Sequence, residues 1–115
     1  MNPLLVALWA ALLVAIPRVK APRADTTILI QGFGFRPKRL EVPLGTRVRW
    51  DNRDEIGHTV TATSDSGAAP LFDGVMEGKG QSFGFTFDRA GTFVYTCARH
   101  SFMRGEIRVI AKGDQ

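Results

Sequence analysis

A period of two in hydrophobicity recurs along the chain from residue 25 onward and constrains the fold most strongly. In residues 47–51, for example, Val48 and Trp50 alternate with charged residues. Successive side chains of a strand point to opposite faces, so each such run predicts a strand with one buried face. Glycine, proline, asparagine and aspartate separate the runs, which predicts an all-β Greek-key β-sandwich of about seven strands. The predicted strands are 26–31, 40–42, 47–51, 58–63, 81–87, 92–97 and 105–111.

The run 81–87 places Phe83, Phe85 and Phe87 on one face, and this stripe predicts part of the core. Segment 64–80 has weak periodicity and four glycines, so we interpret it as a long crossover connection. The strands that begin at His58 and end at Cys97 can bring both residues to one end of the sandwich.

The first 24 residues are predicted to be a signal peptide that precedes the folded domain 25–115. Residues 4–16 form an unbroken apolar run of 13 residues, which is too short to span a bilayer and has the length of a signal-peptide core. The basic residues Arg18, Lys20 and Arg23 follow the run instead of preceding it, so a retained N-terminal anchor is the alternative. We therefore expect an exported, periplasmic protein, or a membrane-anchored protein that faces the periplasm.

Net charge gives no indication of nucleic-acid binding. The formal charge of +4 includes the three basic residues that precede Asp25, and without them 12 basic residues face 11 acidic ones. After residue 24 the sequence has no run of clustered lysine and arginine, interleaved with aromatics, that would form a nucleic-acid-binding stripe. The single cysteine cannot form an intramolecular disulfide, and a lone thiol in an oxidising compartment is easier to understand if a metal occupies it.

Three residues that can bind a soft metal lie within one short segment, namely Cys97, His100 and Met103. Two imidazoles, one thiolate and a weak thioether form the ligand set of blue-copper centres. His58 is the only other histidine, so it is the candidate for the second imidazole. Simpler interpretations are that Cys97 is a buried hydrophobic residue, that His100 is a solvated loop residue and that Met103 packs the loop against the sandwich. Nothing local marks His58 beyond the preceding Gly57 and the strand that follows. A structural zinc site would typically contain paired cysteines, and a cysteine nucleophile would need its own oriented base.

The chain resembles the cupredoxin family of type I copper proteins, and within it the amicyanin group. Two residues separate His100 from Met103, which is the short-loop pattern of that group. The resemblance implies that 25–115 is a cupredoxin domain, that His58, Cys97 and His100 are equatorial ligands of one copper ion, and that Met103 is the axial ligand. It extends through residues 35–37, 45–50, 91–95 and 102–105.

The chain departs from that pattern at three positions. Arg99 and Ser101 stand where amicyanin-like loops have prolines on both sides of the loop histidine. Thr59 follows the first histidine, where many cupredoxins have an asparagine that ties the two ligand segments together. A threonine hydroxyl is a candidate to replace that asparagine.

The resemblance implies a mononuclear electron carrier that cycles between Cu(I) and Cu(II), and not an enzyme. A periplasmic copper-binding or copper-delivery protein with the same fold is the alternative. The expected partners are redox proteins, a donor and an acceptor, that dock transiently near His100, and we expect a monomer. An apolar patch of Ala98, Phe102 and Met76, with Arg99 and Arg104 beside it, would suit an acidic partner.

Overall fold

The computed structural model describes residues 25–63 and 69–111. The predicted signal peptide or anchor, residues 1–24, lies outside the described residues. Within the described ranges there is no helix, and therefore none that is long and apolar enough to cross a membrane.

The described residues form nine β-strands in two mixed sheets, which confirms the all-β sandwich. One sheet has the strand order β2-β1-β4-β7, and the other has the order β3-β9-β8-β5-β6. Two pairs, β1 with β4 and β3 with β9, are parallel, and the other pairs are antiparallel. The strands are β1 Thr26–Ile30, β2 Phe35–Arg36, β3 Arg39–Pro43, β4 Arg47–Asn52, β5 His58–Ala62, β6 Asp73–Met76, β7 Ser82–Thr86, β8 Gly91–Thr96 and β9 Arg104–Ile110.

Large aromatic rings fill the space between the sheets. Trp50 and Tyr95 are fully buried, and their ring centroids lie 5.3 Å apart in an edge-to-face arrangement. Phe72 packs against Trp50 at 5.5 Å, and Phe87 is also buried. Edge-to-face and tilted packing of this kind stabilises a core beyond the area that it buries. Of the predicted stripe, Phe87 belongs to this core and Phe83 and Phe85 are partly buried against it, whereas Phe72 lies in the segment predicted to be a crossover.

The predicted crossover 64–80 is wrong in its second half, because β6 lies there and forms the edge of the larger sheet. Its burial alternates as a strand should, with Gly74 and Met76 inside and Val75 exposed. A β-carbon on Gly74 would lie 2.2 Å from a ring atom of Phe83, so this buried position excludes a side chain. The sequence pattern missed β6 because glycine contributes no apolar side chain to mark the inner face.

Antiparallel pairing of β5 with β8 positions the candidate site. Thr61 pairs with Thr96 and Ala62 with Tyr95, so the start of β5 and the end of β8 lie at the same end of the sandwich. His58 is the first residue of β5, and Cys97 directly follows β8. The structure thus confirms the convergence that the sequence predicts.

Candidate metal centre

His58, Cys97 and His100, which we call the ligand cluster, converge at this end. Their potential ligand atoms all lie within 4.8 Å of one another. The Sγ atom of Cys97 is 3.9 Å from Nδ1 of His58 and 3.6 Å from Nδ1 of His100. His58 and Cys97 are fully buried, while His100 is half-buried. Both imidazoles therefore present the same ring nitrogen to one sulfur atom.

The opposite ring nitrogen of His58 is held by a carboxylate. Nε2 lies 2.9 Å from Oδ2 of Asp54, and this contact places the ring proton on Nε2 and leaves Nδ1 free to bind a metal. Partial burial raises the pKa of the Asp54 carboxyl, but hydrogen bonds from the N–H groups of Phe33 and Gly32 and from His58 outweigh it. The net pKa is lowered, so Asp54 is an anion behind the ligand ring.

A buried asparagine organises the loop that carries Asp54. The Asn52 amide donates to the carbonyl of Ile56 at 3.0 Å and to that of Gly78 at 3.2 Å. Its side-chain oxygen accepts the N–H of Asp54 at 3.0 Å. Because Asn52 is fully buried, these bonds fix the chain between β4 and His58.

Cys97 is prepared to be a thiolate. Burial raises the pKa of its thiol, but the N–H of Thr59, 3.4 Å from Sγ, acts in the other direction together with His58, the Arg99 N–H and His100. The net effect lowers the pKa of Cys97 to about 6. A thiolate is the form of cysteine that binds a metal. The sulfur is thus available as a ligand near neutral pH.

Thr59 performs the role expected of the missing asparagine. Its Oγ1 accepts the N–H of Ala98 at 2.7 Å, which ties β5 to the loop after Cys97. Thr61 donates its hydroxyl proton to Asp73 at 2.8 Å, so the hydroxyl of Thr59, 3.0 Å away, donates to Thr61. This direction leaves the Thr59 oxygen free to accept from Ala98.

Two backbone hydrogen bonds close the loop between β8 and β9. The N–H of Cys97 donates to the carbonyl of Met103 at 3.1 Å, and the N–H of Met103 donates to the carbonyl of His100 at 2.8 Å. Met103 is 2% exposed and belongs to the core cluster. Its assignment as the axial ligand stays a prediction.

The outer surface of the site differs from the predicted patch at Met76. Met76 is fully buried, because it is an inward-facing residue of β6, and it cannot belong to an exposed patch. Phe102 is 72% exposed and Ala98 is exposed. Phe33, which the sequence does not mark, is 41% exposed and lies 6.4 Å from Phe102 between ring centroids.

The charge of Arg99 is balanced locally. Its guanidinium contacts both carboxylate oxygens of Glu77, with one N–O distance of 3.2 Å, and this ion pair joins the loop to the end of β6. The pair lowers the pKa of Glu77 and raises that of Arg99. Arg99 therefore contributes less free positive charge to this surface than the sequence predicts.

The ligand cluster fits copper by its chemistry. One thiolate with two imidazoles is a soft, mixed set that suits copper, and a hard cation such as Mg²⁺ or Ca²⁺ would prefer oxygen ligands. A β-sandwich with such a cluster at one end, the one group of this kind in residues 25–63 and 69–111, defines a small copper protein.

The sequence comparisons agree with this class. Residues 23–110 match the family described as "Copper binding proteins, plastocyanin/azurin family", and the chain belongs to that family. It is 33% identical over 95 residues to amicyanin of Paracoccus denitrificans, and the aligned region covers 81% of this chain and 72% of the relative. It is 30% identical over 90 residues to amicyanin-alpha of Methylorubrum extorquens, and that aligned region covers 78% of this chain and 76% of the relative.

The fold comparison gives the same result. The Cu(I) form of an amicyanin variant superposes with a TM-score of 0.69 at 33% identity, covering 80% of this chain and 86% of that one. These matches confirm the predicted resemblance to amicyanin and the prediction of copper as the cofactor. The contacts of Asp54 and Phe33 with His58 were not predicted, because no local signal in the sequence distinguishes either residue.

Proposed function

We propose that this protein is a mononuclear type I copper protein that transfers single electrons between redox partners, with His58, Cys97, His100 and Met103 as ligands. The observation that carries the proposal is the convergence of His58, Cys97 and His100 within 4.8 Å in a chain of the copper-binding plastocyanin/azurin family. Bound copper would supply the redox couple. The protein would supply a fixed set of donors.

Each residue has a separate task in this proposal. Cys97, buried and held by the N–H of Thr59, provides the thiolate without a large rearrangement. Asp54 holds the His58 ring through its hydrogen bond to Nε2, so the position of the ring does not change when the charge at the site changes. Half-buried His100 is the ligand that reaches the surface, and a partner that docks against it would be closest to the site.

Partner docking would use the exposed aromatic surface around His100. Phe33 and Phe102 are both exposed and flank His100, with centroid distances of 5.0 Å and 6.2 Å. A small apolar contact of this kind suits a short-lived complex. We propose a monomer with residues 1–24 as the export signal, cleaved to release a periplasmic domain of residues 25–115.

Redox cycling in the presence of a copper acceptor tests the proposal. The copper-loaded protein is taken through repeated chemical reduction and oxidation while an excess of a Cu(I) chelator is present. We expect reversible bleaching and recovery of the blue colour with copper retained. Copper delivery, the alternative function, would instead give quantitative transfer to the chelator upon reduction, and that result would contradict an electron carrier.

A further inference from the structure

Asp54 makes three hydrogen bonds that join two separate parts of the metal centre. Oδ1 accepts the N–H of Gly32 at 2.8 Å, and Oδ2 accepts the N–H of Phe33 at 3.0 Å. The same Oδ2 accepts from Nε2 of His58 at 2.9 Å. The side chain of Asp54 is 13% exposed; its bond to His58 is partly buried, and its bonds to Gly32 and Phe33 lie at the surface. One carboxylate therefore contacts a candidate ligand and a turn that lies more than twenty residues earlier in the sequence.

The turn is the tight connection between the antiparallel strands β1 and β2, and the N–H of Gln31 closes it by donating to the carbonyl of Gly34 at 3.0 Å. Gly32 has φ 63° and Phe33 has φ 58°, so two successive residues are left-handed. The left-handed conformation is unfavourable for a residue with a side chain, and it persists only where other contacts enforce it. Successive N–H groups in such a turn can form a concave anion-binding site. The Asp54 carboxylate occupies that site and, together with the Gln31–Gly34 hydrogen bond, holds Phe33 in its left-handed conformation.

Phe33 in turn lies against both histidines of the ligand cluster. Its ring centroid is 5.2 Å from that of His58 and 5.0 Å from that of His100, and both contacts are edge-to-face at 86° and 85°. A ring in contact with two imidazoles limits the rotation of each. His100 otherwise belongs to a loop closed by two backbone hydrogen bonds, so Phe33 is a further restraint on it.

We propose that Asp54 is a positioning residue that orients His58 directly and His100 through Phe33. This inference rests on the proposed copper function, since it concerns how the two imidazoles are held for the metal. Removal of the carboxylate would take away the acceptor of the Nε2–H of His58 and of the N–H groups of Gly32 and Phe33 at the same time. Loss of an outer-shell partner typically weakens metal binding by about 10- to 100-fold, and we expect that range for Cu(II).

Asp54→Asn tests the proposal, with Asp51→Asn as the matched control. Asp51 is also a partly buried aspartate in an ion pair, with Arg49 at 2.8 Å, but it does not contact the ligand cluster. We expect Asp54→Asn to raise the reduction potential, because a negative charge behind His58 favours Cu(II). We also expect it to shift the blue absorption band. Asp51→Asn should change neither, and equal changes in both variants would overturn the proposal.

Phe33→Leu separates the two effects of Asp54. This variant keeps the backbone N–H that donates to Asp54 but removes the ring that contacts both imidazoles. We expect the Nε2 proton of His58 to remain in place while Cu(II) dissociates faster. A dissociation rate equal to that of the wild-type protein would show that Phe33 does not restrain His100 and would overturn that arm.

The metal-free wild-type protein provides a readout that needs neither copper nor a variant that folds. In its ¹⁵N NMR spectrum, we expect the Nε2 proton of His58 and the amide protons of Gly32 and Phe33 to exchange slowly with water. Fast exchange of all three would overturn the role of Asp54. A wild-type protein with slow exchange that fails to bind copper would instead refute the proposed function and leave the Asp54 contacts intact.

Discussion

The two halves of the metal centre are held by different means. The strand half, residues 52–59, contains buried His58 and is fixed by side chains, with Asn52 and Asp54 each making three hydrogen bonds. The loop half, residues 97–103, is closed by two backbone hydrogen bonds and exposes Phe102. The sandwich thus holds one imidazole rigidly and leaves the other accessible to a partner. The difference assigns structural support to the strand half and surface contact to the loop half.

Replacement of each histidine in turn by glycine is the strongest test of this difference, and we expect it to have the largest effect. We expect His58→Gly and His100→Gly to lose the blue absorption, because each removes one of two imidazoles. Added imidazole should restore it in His100→Gly, since His100 is half-buried and its place is reachable from solvent. Added imidazole should not restore the blue absorption in His58→Gly, because His58 is fully buried. Optical titration with imidazole measures this, and equal rescue of both would refute the asymmetry.

The pH dependence of the metal-free protein tests how well the two halves together prepare Cys97. The pKa of its thiol is lowered from 9.0 to about 6, so the fold favours the thiolate. The stabilisation from this group is complete above about pH 9 and is lost as the pH falls through about 6. We expect the free energy of unfolding in urea to rise between those values. In Cys97→Ala this rise should disappear, and an unchanged pH profile would contradict the lowered pKa.

Thr59→Val sharpens the comparison by cutting the bond between the halves. The N–H of Ala98 loses its acceptor at a position where Thr59 is 5% exposed. Because Ala98 is exposed, its N–H can bond to water instead, and we expect the metal-free protein to lose about 0.5–1.5 kcal/mol, the net contribution of an ordinary hydrogen bond. Thr59→Ser keeps the hydroxyl and is the control. If both variants unfolded at the same denaturant concentration, the hydroxyl would not be the tie.

Arg99→Gln should have the smallest effect. The ion pair with Glu77 is exposed, and exposed pairs contribute little because water and salt screen them. We expect the denaturant midpoint to stay unchanged within error, with no dependence on salt beyond that of the wild-type protein. Glu77→Gln is the matched control, and a clear loss of stability in either variant would mean that the loop half depends on this pair.

The sequence marks the loop half of the candidate site more clearly than the contacts that support His58. Cys97, His100 and Met103 lie within one loop, so their relation is local, and the residue types are specific to soft metals. His58 was predictable because it is the only other histidine. Asp54 was not, because aspartate is common in loops and its other two partners are backbone groups of Gly32 and Phe33. Contacts of that kind become visible only when the fold brings distant segments together.

The alternating pattern predicted most strands within one or two residues and failed where glycine replaced an apolar residue. β6 was missed because Gly74 faces Phe83 and carries no side chain. The exposed position assigned to Met76 was wrong for the same reason, since a residue of an unrecognised strand cannot be placed on a face. β2 was missed because it contains only two residues.

The most direct test of the account is a titration of the purified domain with Cu(II), followed by visible absorption. We expect an intense blue thiolate-to-copper band. The band should saturate at one copper ion per chain, because the sequence has one cysteine, Cys97, to supply the thiolate. Cys97→Ser should remove that band without unfolding the sandwich. A wild-type protein that stays colourless, or a blue band that survives in Cys97→Ser, would contradict the account.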